Sequence, residues 1–332
     1  MIVVLGMRIL GIQDYPMSTP MWLDKSTSLS WLRAFEELSE CGDDVYAILQ
    51  EPNYEYRMLY PIRGVRYYFT KSSKILTDKI REMICEVKPE VIMYNFCDYG
   101  SLPLLIEKLS VLLPDACHYV RTHHEVRRVL SGALLRSILS KVDMMIVSSD
   151  ADKSVIEDVN KGVKIYVVPF GVDIKMGEGV SMERVIDFAS SCGVNPVKNL
   201  DILKCVFKGL ELRGYKTMNI LGQNKLRYVS LLKSTRVFFT PTSSEASGSR
   251  SLLEAIVCGA YPVVSDICES TCEVVERLGG SRVSISRSID EIVDELEEIL
   301  CNMGVMRTSE VELYSDKVEI KLLVDVLRGK SE

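Results

Sequence analysis

The stretch Phe239-Thr-Pro-Thr-Ser-Ser-Glu245-Ala-Ser-Gly248-Ser-Arg-Ser-Leu-Leu-Glu254-Ala-Ile-Val-Cys-Gly259-Ala-Tyr-Pro262-Val-Val-Ser265 is the most specific in the chain. An aromatic run ends at Thr240, and a loop of small polar residues follows. The spacing predicts a helix starting near Ser249 and closing at Gly259, then a strand after Pro262. Such a loop places unpaired N–H groups of a helix N-terminus at the carboxyl end of a parallel strand, where open α/β sheets bind anions. Ser247, Gly248 and Ser249 would supply those N–H groups. Lys198, after Pro196 and before another predicted helix, adds a cation, and Arg250 could add a second. Glu245 could accept hydrogen bonds from sugar hydroxyls, and Glu254 could hold a ribose. Each residue also has a plain reading. Glu254 alone is a solvated or capping carboxylate, Glu245 alone caps the following helix, and Lys198 alone is a solvated lysine.

The elements that must position these residues alternate short β-branched runs with longer amphipathic ones, the pattern of a parallel sheet with crossover helices. In the first half, strands are expected at Arg8–Ile12, Asp44–Leu49, Val91–Tyr94, Cys117–Thr122, Met144–Val147 and Lys164–Val168. Helices are expected at Trp31–Cys41, Lys74–Val87, Leu102–Leu113, Val126–Ser140 and Asp152–Asn160. Gly42 would stop the first helix. In the second half, strands are expected at Val185–Ala189, Thr217–Leu221, Val237–Thr240 and Pro262–Ser265. Helices are expected at Leu200–Arg213, Tyr228–Lys233, Leu252–Cys258, Ile289–Met303 and Asp316–Arg328. The break between the halves falls in Phe170–Glu183, loosened by Gly171, Gly177 and Gly179.

The totals exclude several classes. A chain of 332 residues suits two α/β domains, and 47% hydrophobic with 26% charged residues is globular. A net charge of −6 argues against general nucleic-acid binding. No run is long enough to cross a bilayer, and Met1–Gly6 lacks the basic region and cleavage site of a signal peptide, so the expected location is cytoplasmic. Met7-Arg8-Ile9-Leu10-Gly11-Ile12 looks like the natural opening of a first strand. The ten cysteines read as core residues, with Cys85, Cys205 and Cys258 in helix-like patterns. None forms a CxxC, and Cys268-x3-Cys272 lacks a second ligand pair, so no metal site is expected. Glutamine occurs only at Gln13, Gln50 and Gln223, which hints at a thermophilic source. Residues 126–142 combine Arg127, Arg128, Arg136 and Lys141 with leucines. That pattern fits either peripheral contact with the inner membrane face or a domain helix packed on its sheet, and the packed helix is preferred.

Glu254-Ala-Ile-Val-Cys258-Gly259-Ala-Tyr-Pro262-Val-Val264 resembles the signature tail of the retaining GT-B glycosyltransferases of the family 4 type, with one extra residue between Gly259 and Pro262. Eight residues, not the family's seven, separate Glu245 from Glu254. Val168-Pro-Phe-Gly-Val-Asp173, Asp143-Met-Met-Ile-Val-Ser148 and Asn195-Pro-Val-Lys198-Asn-Leu200 are similar to other family segments in the same order. Arg121-Thr-His123-His124 falls where the family has a strand-end histidine facing the acceptor, although a plain loop histidine fits the residues as well.

The resemblance implies an α/β chain of GT-B type, with two Rossmann-like domains facing across a cleft and a final helix crossing back to the first. The acceptor domain would span residues 1–169, the nucleotide-sugar donor domain 170–312, and the returning helix 313–332. It implies a retaining hexosyltransferase that needs neither metal nor cofactor and moves a sugar from a nucleotide-sugar donor to a glycan, lipid or small-molecule acceptor. Glu245 and His123 would be catalytic, and Lys198, Ser247, Gly248, Ser249, Arg250 and Glu254 would bind the donor. The sequence departs from the family in three places. Gly193 stands where the family has an arginine, Asp14–Ser28 lacks the glycine-rich loop, and the span from Lys198 to Glu245 is short by about one βα unit. Those losses leave open a degenerate, non-catalytic sugar- or partner-binding module. A GT-B-shaped nucleotide-sugar epimerase is the other rival, and the Glu254–Val264 tail argues against it.

Overall fold

The computed structural model describes residues 6–16, 27–50, 64–70, 77–95, 99–122, 125–244 and 249–329. Two compact units form, one of Met1–Val168 with Glu319–Glu332 and the other of Pro169–Val318. Each has its own parallel sheet.

The first unit runs β1 (Arg8–Pro16), α1 (Thr27–Glu40), β2 (Asp44–Gln50), β3 (Val65–Thr70), α2 (Asp78–Val87), β4 (Val91–Asn95), α3 (Leu102–Leu112), β5 (Cys117–Arg121), α4 (Val126–Val129), α5 (Gly132–Leu139), β6 (Met144–Val147), α6 (Asp150–Val159) and β7 (Lys164–Val167). Its seven strands lie in the order β3-β2-β1-β4-β5-β6-β7, so the topology reverses between β1 and β4. Strand residues alternate between two cores. Ile9, Val45, Ala47 and Met93 face α1, whereas Leu10, Ile12, Ile48, Ile92 and Val120 face α2, α3 and α5. Gly11 allows α1 to approach closely, because a Cβ there would lie 2.3 Å from a Trp31 ring carbon.

The second unit runs β8 (Ile186–Ser190), α7 (Leu200–Leu212), β9 (Thr217–Asn219), α8 (Lys225–Lys233), β10 (Thr235–Thr240), α9 (Arg250–Val257), β11 (Tyr261–Ser265), α10 (Glu269–Leu278), β12 (Ser281–Val283) and α11 (Ile289–Cys301). Its order is β12-β11-β10-β8-β9, with the reversal between β8 and β10. Phe188, Val237, Phe239 and Val263 pack against α7 and α11 on one face. The last helix, α12 (Asp316–Leu327), contributes Ile320, Leu323, Val326 and Leu327 to the first unit's core, on the face that α1 covers.

Several elements differ from the expectation. The single helix expected over Val126–Ser140 is two, because Ser131 caps a new start by accepting from the Leu134 N–H at 3.3 Å, and Leu130 before it is extended. Leu135, Ile138 and Leu139 of α5 are buried in the first core, which is how a packed domain helix uses its apolar face. Strands β3 and β12 and helix α10 add to the expected set. Cys85 and Cys205 are exposed and not core residues, whereas Cys258 is buried. Among the described residues no helix is long and apolar enough to cross a membrane.

Candidate functional site

The loops after β8 and β10 flank the reversal point of the second sheet, the place where a doubly wound sheet opens a crevice at its carboxyl edge. Hydrogen bonds tie the two loops together. The Ser243 N–H donates to the Val197 carbonyl at 2.8 Å, and the Ser243 hydroxyl donates to the same oxygen at 3.2 Å. Asn199 Nδ2 donates to the Pro241 carbonyl at 2.7 Å, from a left-handed backbone at φ 52°. The half-buried Lys198 is therefore held in a segment stitched to the post-β10 loop. Its own turn is fixed by Asn195, whose side chain accepts from the Val197 N–H at 3.2 Å, and by Cys192, whose thiol donates to the Lys198 carbonyl at 2.8 Å. Asn219, at the end of β9, clamps Cys192 by reciprocal 2.9 Å bonds to its backbone N–H and carbonyl.

Beyond β10 the chain enters α9 at Ser249, which is buried and accepts from the Leu252 N–H at 3.3 Å. Such a cap contributes about 1 kcal/mol to a helix. Gly259 closes the helix in the left-handed region at φ 86°, and the Ala260 N–H returns to the Ala255 carbonyl at 2.9 Å. The Ser265 hydroxyl, at the end of β11, donates to the Thr242 carbonyl. Glu254 is half-buried on α9, and its Oε2 accepts from the Tyr228 hydroxyl of α8 at 2.8 Å. Burial, reinforced by that carboxylate, pushes the Tyr228 phenol well above its ordinary pKa of 10, so it stays a neutral donor. Sequence reasoning did not find Tyr228, because a tyrosine inside a short helix gives no sign of a partner 26 residues away. Burial also pushes the nearby Cys258 thiol up to about 11, which leaves it unreactive.

Of the expected donor-binding residues, Lys198, Ser249, Arg250 and Glu254 lie on these two loops and on α9. Glu245, Ser247 and Gly248 lie outside the described residues, as does His123 in the first unit. A Cβ at Gly193 meets nothing within 4 Å, so the position of the family's arginine is open space. Among the described residues, no group of three or more His, Cys, Asp or Glu could hold a metal ion.

The carboxyl edge of the first sheet is made differently. Gln13 and Asn95 sit opposite each other on β1 and β4 at the reversal point. Gln13 Oε1 accepts from Trp31 Nε1 at 3.0 Å and from Asn95 Nδ2 at 3.4 Å. Arg121, at the end of β5, forms an ion pair with Glu319 of α12, both fully buried, and Ser30 donates to the same carboxylate oxygen at 2.6 Å. Asp152 accepts from the Val126 N–H at 2.7 Å and from the Ser149 hydroxyl at 3.0 Å, joining the starts of α4 and α6.

No family model matches the chain, and no curated protein matches it in sequence. Solved structures do match in fold. HepE from Anabaena, crystallised with UDP and glucose, superposes with a TM-score of 0.69 at 13% identity, over 98% of this chain and 100% of that one. Sucrose-phosphate synthase from Thermosynechococcus elongatus gives 0.67 at 13% identity, over 98% of both chains. Trehalose 6-phosphate synthase from Burkholderia multivorans gives 0.67 at 11% identity, over 98% of this chain and 97% of that one. The chain carries the GT-B glycosyltransferase fold.

Proposed function

We propose that this protein is a glycosyltransferase of the family 4 type that takes a sugar from a nucleotide-sugar donor, with retention and without a metal, and passes it to a hydroxyl acceptor. The observation that carries this reading is the stitching of the Lys198 loop to the loop entering the Ser249-capped helix, at the reversal point of the second sheet. That arrangement suits a diphosphate, with one cation and helix N–H groups facing the charge that grows as the leaving group departs. Glu254, held by Tyr228, would take the ribose hydroxyls, and Glu245 the transferred sugar. His123, two positions after the end of β5 in the sequence, would meet the acceptor. HepE is known in complex with UDP-glucose, which makes that donor the first to try.

The experiment is a turnover assay with UDP-, GDP- and ADP-sugars against mixed sugar, lipid and small-molecule acceptors, in the presence of EDTA. Acceptor-dependent release of nucleoside diphosphate supports transfer. Open space at Gly193 in place of an arginine favours a second reading, a binding module without turnover. Saturable donor binding with no release under any acceptor would select it.

A further inference from the structure

Three buried hydroxyls make no hydrogen bond among the described residues: Thr122 Oγ1, Thr240 Oγ1 and Ser244 Oγ. All three stand at or just past the carboxyl ends of parallel strands, the first after β5 and the other two at and after β10. Thr240 is 7% exposed and Ser244 only 2%. A hydroxyl can rotate to donate and can accept twice, so a buried one that finds nothing has lost its water without replacement. The surrounding loop is not short of hydrogen bonds. The Pro241 carbonyl is taken by Asn199, the Thr242 carbonyl by Ser265, and both Ser243 donors by Val197. Two hydroxyls are left over, at the two ends of a stretch, residues 241–243, whose polar groups are bonded.

We infer that Thr240 and Ser244 are donor-binding residues, whose hydroxyls pair with oxygen atoms of the diphosphate-sugar portion of a nucleotide sugar. The inference rests on the donor reading above and adds two contacts to it. Their unpaired state in the free protein is a stability cost that ligand binding removes. Groups of this kind have a signature that structural hydroxyls lack: deleting them leaves the free protein as stable or more stable, and weakens the complex.

The test is a thermal-shift and calorimetric titration of the full chain with UDP-glucose and with UDP, for wild type, Ser244→Ala, Ser244→Cys and Thr240→Val. The expected result is an unliganded Tm equal to or above wild type in each variant, with affinity weakened about threefold to tenfold. Weakening toward both ligands assigns the contact to the diphosphate, and weakening toward UDP-glucose alone assigns it to the sugar. Wild-type affinity in the variants overturns the inference, as does a lowered unliganded Tm with unchanged affinity. If wild type itself binds no nucleotide or nucleotide sugar, the donor reading fails first and the inference falls with it, an outcome distinct from the other two.

Discussion

The carboxyl edges of the two sheets have the same topology and opposite finish. In the first unit, side chains bond to side chains across the edge, through Gln13 with Trp31 and Asn95, and Arg121 with Glu319 and Ser30. In the second unit, backbone and short side chains stitch two loops together, and the hydroxyls of Thr240 and Ser244 are left over. The first edge is cross-braced by partners that span the chain from residue 13 to residue 319, so its contents serve to fix one geometry. The second spends its bonds on loop shape and leaves two buried hydroxyls, Thr240 and Ser244, in reserve, whereas the described residues of the first edge leave Thr122 alone among its buried hydroxyls. A reversal point in a parallel sheet therefore marks where a site can form, and the pattern of hydrogen bonds around it separates a braced edge from one prepared for a ligand.

The largest expected effect tests the bracing. Glu319→Ala removes the buried ion-pair partner of the Arg121 guanidinium and should cost the first unit about 3–5 kcal/mol, read by urea unfolding. Donor binding by the second unit should survive in folded Glu319→Ala protein, and its loss would break the contrast between the edges. Next comes Glu254→Ala, which removes a charged acceptor worth about 1.5–3 kcal/mol and should weaken nucleotide-sugar binding about tenfold to a hundredfold by calorimetry.

The third effect depends on pH. His118 in β5 is buried between the Tyr94 hydroxyl at 2.8 Å and the Ser110 hydroxyl at 3.1 Å, and burial lowers its pKa below the ordinary 6.5. The unfolded chain therefore takes up this proton near pH 6.5, whereas the folded protein waits for lower pH. Within that window the unfolded state binds more protons, so stability falls as the pH falls, by at most about 1.4 kcal/mol per pH unit from this group. Urea midpoints between pH 7.5 and 5 should show a slope that is shallower in His118→Gln. Equal slopes would remove His118 from the account. Smaller still is Tyr228→Phe, which frees Glu254 from its hydroxyl partner. It should weaken donor affinity by about twofold to tenfold without abolishing it. The smallest expected change is a gain. Gly193→Arg places a cation in open space near the Lys198 loop and should tighten UDP-glucose binding about threefold, more at low salt than at high.

How much of this was legible in the sequence depends on the range of the interaction that decides it. Helix α1 reads directly, since Leu32, Phe35 and Leu38 fall on one face and Gly42 follows. Helix α10 follows its first residue, Glu269, with Ser-Thr-Cys, poor helix formers, and its apolar face gathers only toward Val274, Val275 and Leu278. Strand β3, Val65-Arg-Tyr-Tyr-Phe-Thr70 at the sheet edge, shows no clean alternation of apolar and polar residues, and β12 has three residues, too few for a period to show. The break before α5 turned on Ser131, a cap signal inside what reads as one amphipathic run. At the site, the run from Ser249 through Gly259 was legible because cap, helix and closure are local. The Asn199–Pro241 and Tyr228–Glu254 bonds join residues 42 and 26 positions apart, and no local pattern announces them. Nor could composition distinguish the unpaired Ser244 from the bonded Ser243 beside it.

The central claim is that the second sheet's edge, and not the first, holds the nucleotide part of the donor. Amide hydrogen exchange of the whole chain with and without UDP tests it most directly. The account predicts slowed exchange at residues 191–199 and 240–258, and unchanged exchange at 118–126. Protection centred on the end of β5, or none at any position under saturating UDP, would contradict it.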